Sequence, residues 1–435
     1  MFERSDKGDN FMTWTEQFAS KVATAEDAAA LVRNGDKVMC GLPEPTGFLI
    51  ALGGRTDLEN VECFVPAPRN GGAAAATAPG VELQAPFLTE IIRRSGVPVE
   101  IRPIGFSGWA GFAKRWKPRV RVITVAEPQP DGTVRPGSSL GASDVLVRSK
   151  ASSDDIVIGL VNPSQPQILG ESFTVEDFDY LIPLPPREPT PEYDSRKVPA
   201  EIDNFVGAID ELVPDGATLQ AGVGGLAEAV MDRLHHKRNL GVHTEVLGYG
   251  LRSLMESGAV TNTNKSLFAD QTVCTIALPE TYEYAHLNPA IRLEAASTVL
   301  NPATIARNTL MRCLNSSLQV DLLGQTNAEM IDGVQYSGVG GQLDFLRACS
   351  MTDDGLSIQV LSSTAAGGTI SRIVPRLDVN AATGTRYDTQ VVVTEFGVAW
   401  LRDATMREKA ERLIAIAHPD HQAALTDSAE RSGLI

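Results

Sequence analysis

The sequence predicts an α/β fold of open, mostly parallel sheets, and three features predict it. The segment Leu219-Gln220-Ala221-Gly222-Val223-Gly224-Gly225 reads as a short buried strand running into a glycine turn that opens a helix. Val391-Val392-Val393-Thr394 is a β-branched apolar run of the kind buried on both faces of a parallel sheet. Met406 to Ala417 spaces its apolar residues as an amphipathic helix does. Strands of the second type alternating with helices of the third are the pattern of an α/β domain.

In chain order, the polar opening 1–10 reads as a frayed tail. Ala30 to Gly41 then runs as a helix end, a glycine stop at Gly35, a short buried strand and a glycine turn. Glu211 to Gly222 repeats that order around Gly216, which suggests a duplicated α/β domain; such junctions are also common in unrelated α/β proteins. Between the copies, Pro183 to Pro191 holds five prolines in nine residues and cannot be helix interior or central strand. The expected organisation is an N-terminal α/β domain over 1–182, a Pro-rich tether over 183–200 and a C-terminal α/β domain over 201–435. Ala227 to Leu234 reads as the helix after the glycine turn.

The net charge of -16 argues against nucleic acid or an anionic membrane surface as partner. Any anionic ligand must then be held by backbone amides and a few local basic residues. Five cysteines lie far apart without a Cys-x-x-Cys pair, which suits reduced thiols in a cytoplasm. No apolar run reaches the roughly 18 residues of a membrane span, and no secretory leader is recognisable.

Gly241-Val242-His243-Thr244-Glu245, downstream of the glycine turn, allows two chemistries. In one, the turn cradles a dinucleotide pyrophosphate and Glu245 holds a ribose hydroxyl. In the other, the turn holds the thioester end of a ligand and Glu245 is a covalent nucleophile. No Gly-x-Ser-x-Gly elbow occurs, and the six histidines show no HExxH spacing, so no metal is expected. In His418-Pro419-Asp420-His421 the proline is expected to terminate the preceding helix. A second glycine cluster, Ser337 to Phe345, either aims consecutive amides at one oxyanion or is a tight turn with positive φ. Ser362 to Arg372 is a third, small-residue loop that could pass close to a ligand.

These motifs, with Asn315-Ser316, Gly324-Gln325, Ser371-Arg372-Ile373-Val374-Pro375, Val393-Thr394-Glu395-Phe396-Gly397 and Ile416-Ala417-His418-Pro419-Asp420, occur in an order that resembles the acetyl-CoA hydrolase/transferase family, which includes 4-hydroxybutyrate CoA-transferase. The resemblance covers 205–425. In the first half it rests mainly on Pro130-Asp131-Gly132 and Ser139-Leu140-Gly141. It implies two related α/β domains, an active site at their interface and a homodimer or higher homo-oligomer in the cytoplasm. It also implies Glu245 as the nucleophile, and Gly222, Val223, Gly224, Gly225 and Leu226 as the CoA-binding turn. Gly338, Gly340 and Gly341 match the turn that contacts CoA and supplies an oxyanion-stabilising amide. Asn301 and Glu395 match polar active-site positions, and His243 in the His-Thr-Glu motif is expected to be structural rather than a general base.

The implied activity is transfer of CoA between a small acyl-CoA and a carboxylic acid, by double displacement through a glutamyl-CoA thioester. Coenzyme A is then a substrate, and no permanently bound cofactor is expected. The chain departs from the family pattern at Ala227, where members usually carry proline, at Val246-Leu247-Gly248-Tyr249-Gly250, where they usually show Met and then Ser-Asp-Gly, and at Gly367, where many carry lysine. The alternatives are net acyl-CoA hydrolysis, a CoA-binding protein that has lost turnover, and an NAD-dependent oxidoreductase, for which the second glycine cluster has no use.

Overall fold

The computed structural model describes residues 12–185 and 202–435. The opening 1–10, and the expected tether from residue 186 onward, lie outside the described residues. Two compact units divide the chain: Met1–Glu192 with Thr275–Thr298, and Tyr193–Cys274 with Val299–Ile435.

The first unit is built on seven strands: β1 (Lys37–Cys40), β2 (Val61–Phe64), β3 (Val81–Ala85), β4 (Glu100–Ile101), β5 (Val120–Val125), β6 (Ile156–Val161) and β7 (Tyr180–Pro183). They lie in the order β4-β3-β2-β1-β5-β6-β7, every neighbouring pair parallel. All residues of β5 are buried, as a strand covered on both faces requires. Helix α1 (Thr46–Gly53) sends Phe48, Leu49 and Leu52 into a core shared with Val38, Val61, Val120 and Ile158. Full burial of each such side chain is worth about 1.5–3 kcal/mol. Helix α2 (Asn70–Ala75) crosses α1 so closely that a Cβ on Gly53 would collide with the Ala74 carbonyl.

The second unit carries β8 (Thr218–Ala221), β9 (Gly241–Val242), β10 (Met311–Ser316), β11 (Leu356–Val360), β12 (Val391–Thr394) and β13 (Gly397–Trp400). Their order is β9-β8-β10-β11-β12-β13, parallel except for the closing β12–β13 hairpin. The helices that concern the site are α3 (Ile202–Leu212), α4 (Gly225–Met231), α5 (Tyr249–Glu256), α6 (Gln342–Ser350), α7 (Met406–Ala415) and α8 (Pro419–Arg431). Helix α7 starts at a capping box between Thr405 and Glu408. Its Ala410 and Leu413 pack with Leu425 of α8 on Val392 and Ala399 of the closing hairpin.

The strand over Val391–Thr394 has its expected bounds. Helix α4 starts and ends earlier than its apolar pattern suggests, because it begins on the glycine turn itself. Pro419 is the first residue of α8 rather than the stop of α7: its missing N–H costs nothing there, and the His418 ring caps the Asp420 amide at 3.3 Å.

Candidate active site

In an open parallel sheet, ligands bind beyond the strand carboxyl ends where connections diverge to opposite sides. In the second unit the chain goes from β8 to β9 on one side and returns to β10 on the other. At that point the glycine turn leaving β8 lies against Asn315 and Ser316 at the end of β10. The Gly222 N–H donates to the Leu314 carbonyl at 2.8 Å. A Cβ on Gly222 would stand 2.7 Å from Asn315 Oδ1. The Asn315 and Gln220 side chains, both buried, exchange two amide hydrogen bonds of 2.9 and 3.0 Å under the turn. Gly224 has φ +153°, a conformation side chains avoid, and Val223 beside it is exposed. Gly225 and Leu226 open α4 without a side-chain cap, and Ala227 is fully buried where the family usually has proline.

Beyond β9 the backbone is fixed residue by residue. The His243 N–H donates to Leu219 O and the Thr244 N–H to Val273 O, each at 3.0 Å. The Thr244 hydroxyl donates to Val246 O at 3.0 Å, with Ala221 O, at the root of the glycine turn, 3.4 Å away. Glu245, half-buried, meets Gly341, the N-cap of α6, and accepts a hydrogen bond from its N–H. A Cβ on Gly341 would collide with both Leu300 Cδ2 and Glu245 Oε2, so only glycine lets the amide reach the carboxylate. Burial, then the neighbouring Asp344 carboxylate, push the Glu245 carboxyl up to about 8, with the Gly341 N–H pulling the other way. A carboxylate of that basicity is a better nucleophile than an ordinary one, and the positive end of α6 lies against it.

Gly340, with φ +61° and open space where a Cβ would be, leads into Gly341, and Gly338 is buried one turn earlier. Buried His243 needs its Nε2–H for the Val299 carbonyl at 2.8 Å, so Nδ1 is the acceptor for Asn308 Nδ2 at 3.2 Å. Burial lowers that ring to about 4, which suits a structural histidine better than a base. Exposed Asn301 spends its side-chain oxygen capping Pro302–Ile305 through the Ala303 N–H at 2.9 Å. Glu395, at the end of β12, accepts from the Ser363 N–H at 2.8 Å and hydroxyl at 2.5 Å. The third loop turns through Ala366, Gly367 and Gly368, all at positive φ.

The structure therefore brings Glu245, Gly341 and the root of the glycine turn together within the second unit. Sequence reasoning assigned no part to Asp344, Ser363 or Lys265. Asp344 lies within the second glycine cluster and Ser363 within the small-residue loop; Lys265 carries no local signal. Among the described residues no cluster of histidine, cysteine or acidic side chains could hold a metal, and no helix is long and apolar enough to cross a membrane.

Known proteins share this architecture and these motifs. Residues 278–429 match the acetyl-CoA hydrolase/transferase C-terminal domain. The chain is 34% identical to the 4-hydroxybutyrate coenzyme A transferase of Clostridium kluyveri, over 95% of this chain and 98% of that one. It is 35% identical to the succinyl-CoA:cyclohexane-1-carboxylate CoA transferase of Geobacter metallireducens, over 97% and 98%. The crystal structure of RipA from Yersinia pestis, 32% identical, superposes with a TM-score of 0.89 over 98% of this chain and all of that one. The chain belongs to the acetyl-CoA hydrolase/transferase family. Within it, the protein is an enzyme of the CoA-transferase class.

Proposed function

We propose that this protein exchanges CoA between a small acyl-CoA and a carboxylic acid by a ping-pong reaction through Glu245. The observation that carries the reading is the Glu245 carboxylate, made basic by burial and Asp344 and held by a single amide at the start of α6. Its attack on the thioester carbonyl forms an acyl-glutamyl anhydride and expels the CoA thiolate. The thiolate then adds to the glutamyl carbonyl, leaving a glutamyl-CoA thioester and releasing the first acid as its carboxylate. An incoming carboxylate reverses both steps. The Glu245 carboxyl gives up its proton before it attacks; one thioester then replaces another with no further proton transfer, so neutral His243 has no proton to move.

Each tetrahedral intermediate places negative charge on an oxygen. The Gly340 and Gly341 amides, at the positive end of α6, are the donors we assign to it; losing one such donor costs about 3 kcal/mol. The Gly222–Leu226 turn is assigned to the CoA arm, whose remote binding energy can be expressed at the reacting carbon. Intact-mass measurement after mixing with a panel of acyl-CoAs tests the reading. A turned-over donor should add one CoA per chain at Glu245, sensitive to hydroxylamine. No adduct on rapid quenching, or an adduct on another residue, overturns it. The family also contains hydrolases, in which water would intercept the glutamyl thioester; turnover without any acceptor acid would identify that outcome.

A further inference from the structure

Three residues before Glu245, side chains satisfy both backbone groups of Val242 on the edge of β9 that faces away from β8. Its N–H donates to Asn262 Oδ1 at 2.9 Å, and its carbonyl accepts from Lys265 Nζ at 2.7 Å. The same ammonium donates to Gln271 O at 2.6 Å. Lys265 is only 5% exposed, and no carboxylate pairs with it among the described residues. A neutral amide could satisfy two carbonyls at far lower desolvation cost, so a buried lysine here, pulled down to about 7 by burial with Cys274 acting the other way, calls for a role.

The residue that follows Val242 is His243. Its ring centre lies 6.4 Å from those of Phe268 and of Phe345 of α6, with Asn308 at Nδ1 and Val299 O at Nε2. Burial chiefly opposes protonation of that ring, and the Lys265 charge adds to it. Val299 precedes Leu300, whose Cδ2 occupies the space a Gly341 side chain would need. The His243 ring thus bridges the segment that carries Glu245, the Val299–Leu300 backbone and the helix capped by Gly341.

We infer that Lys265 is a positioning residue for Glu245: its Nζ pins Val242 and with it the adjoining His243, whose Nε2–H ties the segment that carries Glu245 to Val299 and so to the Gly341 amide. The inference rests on Glu245 being the nucleophile. Misplacing a reacting group by about 1 Å typically costs up to about 10²-fold. Lys265→Met should therefore form the CoA adduct roughly 10- to 100-fold more slowly, with KM for acyl-CoA changed less than about threefold. Lys265→Arg, which keeps the charge, should recover most of that loss. By NMR on histidine-labelled enzyme, His243 of the wild type should stay neutral down to about pH 5 and titrate at higher pH in Lys265→Met.

An unchanged adduct rate in Lys265→Met overturns the inference, as does equal loss in both variants with kcat, KM and folding moving together. If Lys265→Met does not fold, the wild-type titration still decides: a His243 that protonates at the ordinary histidine value overturns it. Failure of the transferase reading is a separate result, seen as no adduct in the wild type.

Discussion

The two units build the same strand-end geometry and fill it differently. Gly35 at φ +77° leads into β1 and Gly216 at φ +78° into β8. The Gly41 N–H then donates to Val122 O of β5, and the Gly222 N–H to Leu314 O of β10, both at 2.8 Å. Each is a point where the chain leaves to one side and later returns to the other. In the first unit the next loop folds its own anion into the space. Buried Glu44 accepts from the amides of Arg69, Gly71 and Gly72, at 2.5, 2.8 and 2.9 Å, and from the Thr46 hydroxyl at 3.0 Å. In the second unit the loop is Val223-Gly224-Gly225, its Val223 side chain exposed, and among the described residues Glu245 takes one amide with a like charge beside it. A carboxylate with four donors has spent its lone pairs on the fold. A carboxylate with one donor keeps them for a carbonyl carbon.

The largest test of that contrast is removal of each carboxylate. Glu245→Ala should lower transfer by at least about 10⁴-fold, as loss of a covalent nucleophile does, and abolish the CoA adduct. It should leave CoA affinity, measured calorimetrically, within a modest factor. Gly341→Ala comes next: its methyl would meet Leu300 and Glu245, and kcat should fall by about 10²–10³-fold. Steady-state kinetics showing a change confined to KM would break the assignment of that amide to the oxyanion.

Glu44→Ala should act on stability instead. It strands three amides, each worth about 1–3 kcal/mol when left unpaired, and the melting temperature should fall by several degrees. An unchanged melting temperature would erase the structural half of the comparison.

The pH dependence of stability sharpens the other half. Glu245 is raised to about 8 from an ordinary 4.5, so the folded state keeps a proton that the unfolded chain releases. Its contribution is whole below the ordinary value and is lost as pH climbs towards 8. Glu245→Gln cannot ionise, so it should match the wild type in melting temperature near pH 4.5 and exceed it above pH 8. Equal curves across that window would mean that Glu245 is not a raised carboxyl. The smallest effect is expected at His243→Gln, whose amide N–H can replace the donor to Val299. Transfer should stay within about tenfold of wild type, and a loss beyond about 10³-fold would restore a general base.

Much of this was legible along the chain because it rests on local physics. A glycine after a buried strand, a run such as Val391–Thr394 and a helical apolar stripe in α7 each declare themselves within about ten residues. Pro419 misled because proline ends one helix and starts another with equal ease; only the His418 cap and the course of the chain distinguish the two. Asn301 was readable as a polar residue but not as a cap, since the Ala303 amide it serves is defined by the turn that follows. Lys265 was invisible, because nothing local marks a lysine that will lose its water.

Sequence by itself determined the α/β class, the two glycine turns, the order of the motifs and Glu245 as the residue to watch, since all of these follow from backbone sterics, periodicity and residue type. Tertiary structure decided which amides each carboxylate meets. Glu44 and Glu245 are the same side chain, each following a short strand in its own unit. One is saturated by a helix start folded back over it, and the other has, among the described residues, the Gly341 N–H and Asp344 for company. Burial and the neighbours' charge set a carboxyl's basicity, and both are properties of the packed molecule rather than of any stretch of chain.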